Sequence, residues 1–357
     1  SEMCIRDRNS TVEDWKNLSK SYYEASTEVN GTKIPILWGT DAVHGHNNVA
    51  GATIFPHNIG LGAANNPELM RVIGEVTARE VKATGLPWVF APTVTVPQDI
   101  RWGRTYEGYS SDPNLVAKLG QEMVIGLQGH PALDNFLGDG KVVATAKHFI
   151  GDGGTTDGDD QGNTELSEEE LSRVHGRGYF TSLAVGVQTV MASFNSWNGE
   201  KLHGSRYMLT DILKDRLGFQ GFVVGDWNGH EQLPGCTVVS CAPAFNAGVD
   251  MIMVPIEWRG FYQNLIKQVK SGEVEMARLD DAVRRILRVK FRAGLFDKGR
   301  PSMQKFAGVE KVLGHSSHRA IARQAVRESL VLLKNNGVLP LHPKQSLLIA
   351  GEGADNI

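Results

Sequence analysis

The sequence predicts an α/β fold, a (β/α)8 TIM-like barrel, on three observations. Short apolar, β-branched runs bounded by glycine, such as Phe222-Val223-Val224-Gly225, have the composition of strands buried on both faces of a parallel sheet. Stretches of helical patterning separate these runs, so strand, loop and helix alternate along the chain. Ionisable residues that packing does not need stand at the carboxyl ends of successive runs, where barrels and open α/β sheets keep their chemistry. With six or more such units, closure into a barrel is the natural arrangement.

Residues 1–10 form a polar opening with no pattern linking them to the rest of the chain, and are set apart as a non-native or disordered leader that includes Cys4. The barrel is assigned to 11–330, beginning with a polar helix over 11–29. A strand over 34–46 ends in Asp41, His44 and His46, and Pro67 opens a helix over 67–84 in a position suited to its first turn. A second strand, 88–94, runs into a loop dense in Arg, Trp, Tyr and Glu, followed by a helix over 114–128. The third strand, 141–150, ends in Lys147-His148 and a Gly/Asp loop, GDGGTTDGDDQGN. Ser167 followed by Glu170 is a capping signal for the next helix. Strands are expected over 188–194, 222–224 and 249–254, and amphipathic helices over 279–295 and 318–333. Residues 331–345 are predicted to be a linker, and 346–357 to begin the first strand of a second α/β domain that the chain does not complete.

The 357 residues carry a net charge of −3 and are 41% hydrophobic, enough for a large core and no basis for nucleic-acid partners. No run approaches 18 uninterrupted apolar residues, so no membrane partner or spanning helix is expected, and these residues hold no signal-peptide pattern. Cys236 and Cys241 share a loop, where a small disulfide and two free thiols are equally compatible with the spacing.

Asp41, the Arg101/Arg104 loop, Lys147-His148 and Asp226 all fall at strand ends that converge on one face of a barrel. Each alone has a plainer reading: a turn cap for Asp41, a helix N-cap for Asp226, a surface ion pair for Arg104, a satisfied buried pair for Lys147 and His148. Together they make a pocket of Asp, Arg, Lys and His flanked by Trp227. There is no glycine-rich phosphate fingerprint in strand–turn–helix context and no serine elbow. Carboxylates and cations that grip hydroxyls, beside an indole for the apolar face of a pyranose, suit a sugar.

DAVHGHNNVAGATIFPHNIGLGA, RWGRTYEGYSSDP, KHFIGDGG, MASFNSWNG, GFVVGDW and ESLVLLKN, taken in order, resemble glycoside hydrolase family 3, in its exo-acting β-glucosidase and β-glucan glucohydrolase branch. The resemblance implies a retaining double displacement with Asp226 as nucleophile. It implies that Asp41, Arg104, Lys147 and His148 bind the hydroxyls of a non-reducing glucosyl unit, and that Trp227 helps clamp the next sugar. The substrate would be a β-glucoside or β-glucan oligosaccharide, with no cofactor, and the protein periplasmic or secreted. Gly225 stands where many members have Ser, with little effect expected. The family's opening segment is missing before residue 11, which leaves barrel closure open. Its acid/base Glu comes from a second domain after the linker, so this chain is expected to hold the nucleophile without its general acid and to be impaired on natural glucosides.

Three other readings compete. Asp157, Asp159 or Asp160 could substitute for the acid. His44 and His46 form an HxH pair that, with Lys147, His148, His175 and Asp226, sketches a metal-dependent barrel hydrolase. A fragment that binds glucan without turnover is the third.

Overall fold

The computed structural model describes residues 11–29 and 31–354. The leader and Cys4 lie outside them, as do residues 355–357. Helix α1 (Val12–Glu24) begins with a reciprocal capping box between Thr11 and Asp14 and ends in a π-type turn, Ala25–Val29. Strand β1 (Gly39–Thr40) follows, then α2 (Asn58–Ala64), α3 (Pro67–Ala83), β2 (Trp88–Val89) and α4 (Pro113–Gln128). Proline occupies the first turn of both α3 and α4, whose N-caps are Asn66 and Asp112. Strand β3 (Thr145–Phe149) precedes the loop carrying β4 (Asn163–Thr164). The Ser167–Glu170 capping box starts α5 (Glu168–Glu170), which continues through a π-type turn into α6 (Arg177–Ala184). Next come β5 (Thr189–Ala192), a hairpin of β6 (Ser196–Trp197) and β7 (Glu200–Lys201), a π-type helix (Tyr207–Arg216) and β8 (Phe222–Val224). Helices α7 (Ala242–Ala247), α8 (Trp258–Ser271), α9 (Met276–Arg292) and α10 (Ser316–Ser329) complete the elements used below.

The architecture is TIM-barrel-like α/β. Strand β1 pairs in parallel with β2, and β3, β5 and β8 form a parallel sheet in that order. Parallel bridges Trp88–Val143 and Val224–Met251 extend the same order to either side, so the strands follow one another as in a barrel wall. The hydrogen-bonded parts are shorter than the apolar runs suggest. The run predicted as a strand over 34–46 pairs with β2 only at Gly39–Thr40, with single bridges at Val43 and Gly45 beyond it, and 249–254 pairs only at Met251. The helices Tyr207–Arg216 and Trp258–Ser271 are not among the predicted elements.

The barrel interior is a packed cluster of Leu37, Trp88, Phe90, Val143, Met191, Phe222, Val224 and Met253. Trp88 meets Phe90 and Phe222 edge to face, and its indole N–H donates to Thr145 and Thr189 at 2.8 and 3.1 Å, so the one polar group of the large side chain is satisfied. Gly39 is required beside these rings, since a Cβ there would lie 2.8 Å from both Trp88 and Phe90. At the amino ends of the strands, α9 runs across the base. It adds Val289 to the interior, hands Lys290 Nζ to the Pro35 carbonyl (2.9 Å), and hands Arg285 to the carbonyls of Phe219 and Gly221. Thus a helix covers the base between the two edges of the strand row.

Helix α10 is tied to α3 through Glu80, a buried carboxylate that accepts from His318 Nδ1 (2.8 Å), Thr53 N and Oγ1 (both 2.7 Å) and Gly314 N (3.0 Å). Past Ser329 the backbone runs exposed. The strand expected from residue 346 does not form: residues 346–350 carry no sheet pairing and Leu348 is 94% exposed. A strand needs a neighbour to take its amides, and the described residues offer none there. Among the described residues no helix is long and apolar enough to cross a membrane.

Candidate active site

Asp226 stands two residues beyond β8, its side chain 15% exposed. It does not cap a helix: the short turn that follows, Gly229–Gln232, has Asn228 as its N-cap. Two contacts orient it. Its backbone N–H donates to His203 Nε2 (3.0 Å), and its Oδ1 accepts from Trp227 N (2.7 Å). Because His203 Nε2 accepts, its proton is on Nδ1, which donates to the Ser193 carbonyl (2.9 Å). Burial lowers the His203 imidazole to about 4 against the pull of Asp226, so this neutral tautomer persists at neutral pH.

Asp226 Oδ2 lies 3.7 Å from His148 Nε2, too far for a hydrogen bond, which leaves that oxygen free for a reacting atom. His148 is held from both sides. Arg104 Nη2 donates to its Nε2 (3.0 Å), and its Nδ1 donates to Asp152 Oδ2 (2.9 Å). Asp152 is buried, which alone would raise its carboxyl. The His148 contact, Thr95 and the Arg104 charge outweigh burial and hold it below the usual range.

Arg104 also forks onto Glu107, with Nε and Nη2 donating at 2.8 and 2.9 Å. Burial pulls the guanidinium down, but Glu107, Asp152 and Asp226 together raise it. Burial likewise pushes Glu107 up, and Arg104, Lys147 and His148 pull it below its ordinary value. Lys147, 6% exposed, donates to Asp41 Oδ1 at 2.8 Å, and Asp41 is half open to solvent. Lys147 and His148 are neighbours in β3, joined by a cis peptide where its register with β5 shifts.

The structure therefore brings Asp41 to Lys147, and Arg104 to His148 beside Asp226, with Trp227 on the rim at 36% exposure. Arg101 points away, pairing at the surface with Asp99 (2.6 Å) and Asp157 (3.1 Å). Asp160 accepts the Trp102 indole N–H at 2.9 Å. Glu107, Asp152 and His203 are site residues that the sequence reading missed. Glu107 lies inside the quoted RWGRTYEGYSSDP and Asp152 inside KHFIGDGG, which was the available signal. His203 gave none.

The HxH pair does not converge. His44 Nδ1 donates to the Phe55 carbonyl (3.2 Å) and its ring sits 3.9 Å from His57, whereas His46 is buried against Trp15 with Nε2 on Thr84 (3.0 Å). His175 is buried against Gly154, and burial lowers it to about 4. Among the described residues no group of three or more His, Cys, Asp or Glu is placed to hold a metal. Cys236 and Cys241 are bridged.

Chemically, the pocket offers Asp226 Oδ2, a carboxylate oxygen with no hydrogen-bond partner, among donors able to grip hydroxyls. The two carboxylates that pair with Arg104 and His148, Glu107 and Asp152, are both held below ordinary carboxyl values. The sequence profile described as Glycosyl hydrolase family 3 N terminal domain matches residues 4–289. The chain is 34% identical to the lysosomal beta glucosidase of Dictyostelium discoideum, over 99% of this chain and 44% of that protein. It is 33% identical to the periplasmic beta-glucosidase of Salmonella typhimurium, over 91% of this chain and 42% of that protein. The crystal structure of the exo-1,3/1,4-beta-glucanase of a Pseudoalteromonas species superposes with a TM-score of 0.92 at 52% identity, over 94% of this chain and 42% of that one. The chain spans less than half the length of each.

Proposed function

The chain belongs to glycosyl hydrolase family 3, and from that premise we propose that it carries the glycone site and nucleophile of a retaining exo-β-glucosidase acting on β-glucosides or β-glucan oligosaccharides. Asp226 Oδ2 attacks the anomeric carbon from one face of the sugar, the aglycone oxygen leaves with a proton, and a glycosyl ester on Asp226 is then hydrolysed. Lys147 and Asp41 form one hydroxyl-binding pair, Arg104 and His148 the other, and Trp227 offers an indole to the next sugar at the rim. The observation that carries this reading is the unengaged Oδ2, facing His148 from a carboxylate whose backbone and other oxygen are both fixed.

The leaving-group proton comes from outside this pocket. The carboxylates paired with Arg104 and His148, Glu107 and Asp152, are both held below their ordinary values, which fits a general acid contributed by the domain of the longer protein expected after residue 345. The Cys236–Cys241 bridge fits an oxidising compartment, and we place the protein there as an exported enzyme.

The test uses 2,4-dinitrophenyl β-glucoside, whose leaving group needs no proton. One equivalent of dinitrophenolate should appear as a burst, followed by slow turnover, and Asp226→Ala should abolish the burst. A burst undiminished in that variant, or none from the folded chain, contradicts the reading.

A further inference from the structure

At the base of the barrel, opposite the candidate active site, a pocket of about 220 Å³ is lined by three lysines and one carboxylate. Lys82 comes from the last turn of α3, Asp139 from the loop before β3, and Lys298 and Lys305 from the segment after α9. Each of these positions leads into, or packs beneath, the amino end of a strand. The pocket thus joins three stretches of chain remote in sequence.

Its charges do not balance. Lys82 is 8% exposed, and its ammonium group donates to the neutral Gln304 Oε1 at 2.5 Å. Lys298 donates to two carbonyls, those of Leu137 (2.6 Å) and Ala293 (2.9 Å). Among the described residues neither ammonium has a carboxylate at ion-pair distance. The one carboxylate, Asp139, reaches only the exposed Lys305, at 3.7 Å. Burial, then the charge of Lys298, lowers Lys82 to about 8, which still leaves it largely protonated at neutral pH. An ammonium taken from water without a counter-charge costs several kcal/mol. Two other buried lysines are neutralised: Lys214 by Asp250 at 2.7 Å and Lys147 by Asp41 at 2.8 Å. Here three ammonium groups face one carboxylate across open space.

We propose that this pocket binds one doubly charged oxyanion, phosphate or sulfate, held between Lys82, Lys298 and Lys305. The ion supplies the two missing negative charges and ties the end of α3, the loop before β3 and the segment after α9 together beneath the barrel. The site is independent of the sugar pocket, and the proposal stands whether or not the chain hydrolyses glucosides.

The test is the melting temperature of the chain in phosphate, in sulfate and in chloride at equal ionic strength, with equilibrium dialysis of radiolabelled sulfate and phosphate to count bound ions. A saturable rise of about 2–4 °C with the dianions and none with chloride is expected, with about one ion per chain. A rise with only one of the two identifies that ion as the ligand. Lys298→Met and Lys82→Met should each flatten the anion-dependent rise, whatever they do to the starting melting temperature. Should Lys82→Met not fold, Lys305→Met replaces it. A rise that follows ionic strength alone, no bound ion, or an undiminished rise in the variants overturns the proposal.

Discussion

Asp226 takes its aim from contacts made one residue apart: its own amide rests on His203, and its Oδ1 is met by the Trp227 amide. His203 is in turn fixed by Ser193, so a displacement of that ring is a displacement of Asp226. Two glycines near it make contrasting probes. A Cβ on Gly229 would lie 2.4 Å from the His203 ring, whereas one on Gly225 would find nothing nearer than 3.6 Å. Gly229→Ala should therefore cost about 1–3 kcal/mol and slow covalent labelling of Asp226 at least roughly tenfold, while Gly225→Ser should change stability by less than about 0.5 kcal/mol. Urea unfolding and labelling rates check both. Equal behaviour of the two variants would mean that His203 does not position Asp226.

Among elements, β8 owes its position to a network beneath it. Asp250 has a fully buried side chain that accepts from Val223 N (2.8 Å) and Lys214 Nζ (2.7 Å) and pairs with Arg278. Asp250→Ala would leave Lys214 and Arg278 to share Asp281, at 3.5 and 2.9 Å, and the Val223 amide without its acceptor, and a loss of about 3–5 kcal/mol is expected in urea unfolding. The exposed pair Arg206–Asp211, at 3.8 Å, should cost less than about 1 kcal/mol when broken. The same network shows what sequence could and could not tell. Phe222-Val223-Val224 announces a buried strand and Asp226 stands out at its end, because a carboxylate after a β-branched run has no packing reason to be there. The pairing of 249–254 is cut short where the Asp250 side chain takes an amide of β8, and no local pattern encodes a side chain acting as a ladder partner. Residues 346–350 read as a strand on composition alone, but strand formation is a property of a neighbour. Glu107, Asp152 and His203 act through Arg104, His148 and the Asp226 amide, so their roles exist only once distant segments meet.

At the scale of the whole molecule, burying neutral histidines makes the fold acid-sensitive. Burial lowers His46 to about 3, and His175 and His203 to about 4 each, from the ordinary 6.5. The unfolded chain takes up these protons as pH falls through 6.5, and the folded chain does so only near 3 to 4. Stability should therefore be lost across that window, with an uptake of about three protons on unfolding at pH 5. Asp152 and Glu107, depressed in the folded state, extend the loss to lower pH in the same direction. Urea midpoints measured from pH 7 to pH 4 check the slope, and a flat profile would contradict the burial of these rings. The barrel's convergence of strand ends is the other property of the whole, since Asp41, Arg104, Lys147, His148 and Asp226 come from four separate stretches of the chain. The most direct test of that convergence is trapping with 2,4-dinitrophenyl 2-deoxy-2-fluoro-β-glucoside, followed by intact mass and peptide mapping. One fluoroglucosyl group on the peptide containing Asp226, absent from Asp226→Ala, is the predicted result. A folded chain that stays unlabelled, or carries the sugar on another residue, would contradict the assignment of Asp226 as the nucleophile.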